Sequence, residues 1–181
     1  VKWDNLVEWS VERGFSGLEN LSLIPGSVGA SAVQNIGAYG VEVKDSVVKV
    51  KTVDISDGTT RVFLNSECEF GYRSSVFKKR LKGKYLVTRV YFRLKTSQIL
   101  NLGYGSLKEE VLKLGGPELK NVRKAVIKIR ESKLPDPEII GNAGSFFKNP
   151  VVSKLIAENI KKDYPEVPVY DESNGLKKIA A

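Results

Sequence analysis

Apolar residues recur along the chain with two different periods, and the changes between them divide it. In residues 1–15, VKWDNLVEWSVERGF, Leu6, Val7, Trp9 and Val11 predict one apolar side of a helix that ends near Gly14. Residues 47–55, VVKVKTVDI, alternate as a strand does, and RVFL follows after SDGT, so Asp57-Gly58 predicts a hairpin turn. YLVTRVYFRL at 85–94 predicts a further strand with Leu86, Thr88, Val90 and Phe92 on one face. Beyond Lys95 the helical period returns: Leu119, Val122, Val126 and Ile129 recur in ELKNVRKAVIKIRESK, and SKLIAENIKKDY repeats the spacing before Pro165. A boundary between two units is expected near 95–100. The final GLKKIAA is apolar and favours helix, without a cap or a polar tail. A strand-and-turn half that begins without a preceding strand adds to this, and both ends are expected to be cut.

Composition narrows the chemistry. The 181 residues, 41% hydrophobic, are enough for a buried core and one or two compact domains. There is no histidine, which excludes Ser-His-Asp and Cys-His catalysis and every His-based metal site; no metal is expected. Proton chemistry is left to Ser, Tyr, Lys, Cys or a carboxylate. The single Cys68 cannot form an intrachain disulfide and is expected as a small buried hydrophobe, with a cytoplasmic setting as the default. No stretch approaches the roughly 18 apolar residues of a membrane span, and the amphipathic start does not read as a secretion signal. The net charge of +8 steers anions to the surface. Its basic residues are spread along the chain without a nucleic-acid motif, so phosphorylated small molecules stand beside nucleic acid as partners.

Several segments carry candidate chemistry. Residues 25–40, PGSVGASAVQNIGAYG, hold a density of small residues that neither a packed helix nor a strand requires. They are either a tight structural loop or a run of backbone N–H groups for a phosphate or a flavin ring. Neither standard nucleotide fingerprint is present. In ECEFGYRSSVFK, 67–78, Arg73 is a surface cation or a bidentate clamp on a carboxylate. Tyr104, between two glycines in NLGYGSL, sits in an exposed turn or swings over a ligand. Lys133, in ESKLPDP, is a helix-terminal lysine or an anion contact. In NAGSFFKNP, 142–150, Ser145 is a filler beside core phenylalanines or a proton donor whose alkoxide Lys148 and Asn149 stabilise.

Taken together, GLENLSLIPGSVGASAVQNIGAYG, ECEFGYRSSVFK, ESKLPDP and GNAGSFFKNP, in this order and spacing, resemble the MurB family of UDP-N-acetylenolpyruvoylglucosamine reductases. The resemblance runs through the whole chain and includes the tyrosine loop LGYGSL. It implies an α+β fold: residues 1–96 as the second lobe of a two-lobed FAD-binding domain of the vanillyl-alcohol-oxidase/PCMH-like kind, and 97–181 as part of an α+β substrate-binding domain. It implies FAD as cofactor and NADPH as hydride donor, with UDP-N-acetylglucosamine enolpyruvate reduced to UDP-N-acetylmuramate by a cytoplasmic monomer that uses neither nucleic acid nor membrane. By the same resemblance Arg73 binds the substrate carboxylate and Ser145 gives the proton to C2. Pro25, Gly26, Ser27, Gly29, Ala30, Ile36, Gly37, Ala38 and Arg130 then hold the cofactor. Tyr104, Lys133 and Asn149 hold the substrate diphosphate, and Tyr170 and Lys178 its nucleotide end. The family's N-terminal diphosphate loop and the segment bearing its catalytic glutamate have no counterpart here, so that carboxylate is expected outside this chain, with weak FAD binding and poor turnover. The alternative is a non-catalytic module for a nucleotide-sugar or another polyanion.

Overall fold

The computed structural model describes residues 1–136, 139–141 and 147–180. They fall in two compact units, Val1–Asn142 and Ala143–Ala181.

The first unit opens with helix α1 (Trp3–Glu12), which buries Trp3, Val7 and Val11, one turn apart. Trp9, expected on that side, is 44% exposed, with the Arg13 guanidinium 4.7 Å from its ring centre. Two residues rotate a helix by about 200°, so Trp9 points away from Val7. Gly14, at φ +76°, lets the chain leave the helix.

The small-residue segment is not one loop. Its middle forms a short helix, α2 (Val28–Val33), whose first turn is capped by the Ser27 hydroxyl accepting from the Ala30 N–H at 3.2 Å. Strands β1 (Gly37–Ala38) and β2 (Val41–Glu42) then make a tight hairpin. Tyr39 and Gly40 form its turn with φ of 48° and 77°, the two left-handed positions such a turn needs.

A three-stranded antiparallel sheet follows, with β3 (Val47–Asp54) between β4 (Thr60–Leu64) and β5 (Tyr85–Phe92). The β3–β4 turn lies where Asp57-Gly58 predicts it, Asp54 N–H donating to Thr59 O at 2.8 Å. The facing of β5 differs from the alternation. Lys51 pairs with Arg89 and Thr52 with Val87, so Thr88 is an extra residue, a bulge. The bulge switches parity: Val90 and Phe92 reach the core on one side of it, Tyr85 and Val87 on the other, and Leu86 is 62% exposed.

The main core gathers α1, α2 and one face of this sheet. Phe63 is fully buried there, its ring edge-on to Phe77 at 5.1 Å and to Tyr85 at 5.2 Å. Cys68 is buried as expected, and desolvation, with Glu67 adding, pushes its thiol up to about 12. A second cluster joins helices α3 (Leu107–Lys113) and α4 (Leu119–Glu131) through Leu107, Val111, Val122, Ala125, Val126 and Ile129. Leu100, near the boundary expected from the sequence, touches both clusters, and both belong to the first unit.

The second unit contains β6 (Val151–Val152), α5 (Lys154–Asp163), β7 (Val169–Asp171) and β8 (Lys177–Ile179), with β8 central in an antiparallel sheet. GLKKIAA, read as helix-favouring, thus supplies a strand. Partners on both sides satisfy its backbone, and tertiary pairing overrides local propensity. Among the described residues no helix is long and apolar enough to cross a membrane.

Candidate cofactor cavity and anion clamp

The turn at 23–26 and the end of α4 enclose a cavity of about 720 Å³ within the first unit. Lys2, Asp4, Leu23, Ile24, Pro25 and Gly26 line it, together with Arg130, Glu131, Leu134, Pro135 and Asp136. This size lies within the range of small-molecule sites. Backbone bonds brace the wall: Trp3 N–H donates to Gly26 O at 3.0 Å and Val28 N–H to Val1 O at 3.1 Å. The Trp3 indole N–H reaches Leu21 O at 2.8 Å. Arg130 donates through Nε to Leu23 O at 3.2 Å. Burial pulls the Arg130 guanidinium below its ordinary value, with Tyr39 and Asp4 opposing.

The expected cofactor residues separate into groups. Pro25, Gly26 and Arg130 line the cavity. Ser27, Gly29 and Ala30 form the start of α2, with the Gly29 Cβ position 3.5 Å from Val87 O. Ile36 is buried in the main core, and Gly37 and Ala38 are β1.

Arg73 is brought to this second stretch. Gly71 and Ser74 exchange N–H···O bonds of 3.0 Å, which puts Tyr72 and Arg73 at a turn tip with Arg73 at φ +52°. Its Nη2 donates to Gly37 O, its Nη1 lies 3.9 Å from Glu42 Oε1, and its guanidinium carbon lies 5.1 Å from the Tyr72 ring centre. A Cβ on Gly37 would fall 2.5 Å from Arg73 Nη1 and 2.9 Å from Val41 O, so position 37 must be glycine for Arg73 to lie there. Sequence reasoning missed the residue that joins these motifs. Asn35, buried at φ 48°, donates through Nδ2 to Glu42 Oε2 at 3.0 Å and to Gly71 O at 2.9 Å. Its Oδ1 accepts from Lys44 N–H at 3.1 Å. Asparagine tolerates left-handed backbone, but nothing in its spacing announces three partners.

Tyr104 is close to the same hairpin, edge-on to Tyr39 with ring centres 6.0 Å apart. Burial pushes the Tyr39 phenol up, Arg130 opposing and Tyr104 adding. The buried Asn20 ties this loop down, donating to Tyr39 O at 2.9 Å and Asn101 O at 2.8 Å, while Asn101 Nδ2 donates to Gly40 O at 3.1 Å. Lys133 is exposed just past α4, its backbone N–H donating to Arg130 O at 3.0 Å, and it is not among the residues lining the cavity.

Asn149, Tyr170 and Lys178 belong to the second unit. Tyr170 and Lys178 face each other across β7 and β8, Val151 flanks Lys178 on the other side, and the Lys178 ammonium is bonded to Glu172. Ser145 lies outside the described residues.

Residues 1–63 match the model of an FAD binding domain. The UDP-N-acetylenolpyruvoylglucosamine reductase of Bdellovibrio bacteriovorus is 54% identical over 159 residues, 87% of this chain and 47% of that protein. That of Flavobacterium johnsoniae is 46% identical over 182 residues, 99% of this chain and 54% of that protein. The chain belongs to this family. The crystal structure of the UDP-N-acetylenolpyruvylglucosamine reductase (MurB) from Thermus caldophilus aligns with 98% of the chain and 58% of its own length, with a TM-score of 0.60 and 26% identity. The α+β fold expected from the resemblance agrees with this neighbour. The chain spans about half the length of the curated MurB relatives it matches.

Proposed function

We propose that the chain carries part of a UDP-N-acetylenolpyruvoylglucosamine reductase, with residues 1–96 and the end of α4 around Arg130 serving the cofactor and the rest of 97–181 the substrate. The reaction reduces UDP-N-acetylglucosamine enolpyruvate to UDP-N-acetylmuramate at the expense of NADPH, in the cytoplasm and by a monomer. The observation that carries this reading is the Arg73 guanidinium resting on Gly37 O, a fixed cation joined to a stretch within the region that matches an FAD binding domain. The apolar part of the cavity fits the ring of such a cofactor: Leu23, Ile24, Pro25 and Leu134 offer it walls, and Arg130 stands beside them at the end of α4.

FAD, when bound, supplies hydride transfer from NADPH to the enolpyruvyl double bond. The chain's own groups do the rest. Arg73 takes the substrate carboxylate in its planar fork and stabilises the negative charge that develops beside it, while Gly37 O and Glu42 keep the guanidinium in place. Ser145 gives the proton to C2, where a strongly basic carbon accepts from so weak an acid. Tyr104, Lys133 and Asn149 hold the diphosphate, and Tyr170 and Lys178 the nucleotide.

The test is to titrate the purified protein with FAD, reduce it anaerobically with NADPH and then add the enolpyruvyl sugar. Flavin bleaching followed by reoxidation on addition of that sugar is expected. A colourless protein that binds UDP-sugars but takes up no FAD would overturn the reading in favour of a non-catalytic module.

A further inference from the structure

Asp4 has no role in the chemistry above, yet it is the hub of a continuous chain of charge-assisted bonds around the cavity. Arg123 Nη1 and Nη2 donate to the two Asp4 oxygens at 2.8 Å each, a planar fork on a carboxylate, with Glu8 3.5 Å from the same guanidinium. Asp4 Oδ1 also accepts from the Leu23 N–H at 2.6 Å. Leu23 stands at φ 57°, a left-handed conformation that a β-carbon disfavours. From the other side of the same residue, Leu23 O accepts from Arg130 Nε at 3.2 Å. Arg123 and Arg130 are seven residues apart on α4, two turns along one face, so one helix grips the Leu23 turn at both ends. Leu23 leads directly into Ile24, Pro25 and Gly26, and Asp4, Leu23 and Arg130 themselves line the cavity.

We propose that Asp4 is a positioning residue for the cofactor cavity: its carboxylate holds Leu23 in the left-handed conformation and thereby sets both the 24–26 wall and the place of Arg130. Without an acceptor at position 4, residue 23 relaxes toward ordinary backbone angles, its carbonyl turns, and Arg130 loses the bond that orients it. The inference rests on the FAD reading of the cavity.

It is tested on the full chain by FAD affinity, from flavin fluorescence, beside the thermal midpoint from circular dichroism. Asp4→Ala is expected to weaken FAD binding about tenfold, the scale of one charge-assisted hydrogen bond. Asp4→Asn keeps an oxygen for the Leu23 N–H, so it holds affinity within about threefold while its midpoint falls because Arg123 loses the nearer of its two counter-charges and keeps only Glu8. In a Leu23→Gly background, where the left-handed conformation carries no β-carbon cost, Asp4→Ala is expected to lose less than about threefold. A purely structural ion pair predicts the opposite pattern, with Asp4→Asn losing as much affinity as Asp4→Ala and no rescue by Leu23→Gly; either result overturns the proposal, as does an Asp4→Ala variant that binds FAD like the parent. If Asp4→Ala does not fold, Asp4→Asn decides: a loss of about tenfold in its FAD affinity overturns the proposal, and retention with a lowered midpoint supports it. A parent chain that takes up no FAD overturns the flavin reading and this inference with it, a result distinct from all the others.

Discussion

The two units hold their expected site residues by different means. In the first, Arg73 and Arg130 are fixed by backbone carbonyls of distant segments, Gly37 and Leu23, and those segments rest on a core built around Trp3, Val50 and Phe63. In the second, the buried apolar side chains among the described residues are Ala157 and Ile179, while Leu155 and Ile156 of α5 are 67% and 49% exposed. There Tyr170 and Lys178 are aligned by strand pairing and by ion pairs such as Lys178–Glu172 and Lys177–Asp171. Precision in the first unit therefore comes from a core, and alignment in the second from backbone register.

The largest effect that would break this comparison lies in the core. Phe63→Ala removes a ring held edge-on by two others and is expected to cost about 3–5 kcal/mol in denaturant unfolding, against roughly 2 kcal/mol for Ile179→Ala. Equal costs would mean that the second unit is packed as firmly as the first.

Gly37→Ala comes next. A Cβ 2.5 Å from Arg73 Nη1 and 2.9 Å from Val41 O must displace one of them, at an expected cost of about 1–3 kcal/mol. The check is a thermal scan together with carboxylate binding. An unchanged midpoint and affinity would show that Arg73 is not fixed by this contact.

A smaller effect tests the Asp4 bonds by acid. Burial alone would raise the Asp4 carboxyl, but the hydrogen bonds from Arg123 and Leu23, with the charges of Arg123 and Arg130, hold it below the ordinary carboxylate value. A folded pKa that is depressed contributes stability fully present above the unfolded value of about 3.9 and lost as pH falls through the lower folded value. The midpoint should therefore fall less steeply below about pH 4 in Asp4→Asn than in the parent. Parallel curves would remove Asp4 from the acid response.

The smallest effect is expected in the second unit. Lys178→Ala breaks a partly exposed ion pair and should change unfolding by less than about 1 kcal/mol. If Lys178 holds the nucleotide, the same variant weakens UDP-sugar binding out of proportion to its stability. Affinity and stability falling together would assign Lys178 to the sheet instead.

Much of the fold follows from local chemistry already visible in the chain. The periods of α1 and α4, the alternation of β3 and the Asp57-Gly58 turn all appear where the pattern predicts them, because each depends on neighbours a few residues away. The facing of Leu86 does not follow, since one extra residue at Thr88 reverses parity and the bulge exists only in register with β3. GLKKIAA becomes a strand for the same reason, and Trp9 shows that apolar character alone does not set a helix face.

The site divides along the same line. Motif order along the chain pointed to the family and, through that resemblance, to Arg130, while Arg73, Tyr104 and the glycine stretch stand out by residue type, because the chemistry of those groups is carried by the residues themselves. The sequence could not reveal Asp4, Asn35 or Asn20, which act through backbone atoms up to 81 residues away. Folding alone brings Arg73 onto Gly37, where a side chain would clash, and sets Asp4 and Leu23 against one face of α4. Hydrogen bonds and steric contacts between remote segments leave no period in a sequence, since they depend on distances that exist only once the chain has folded.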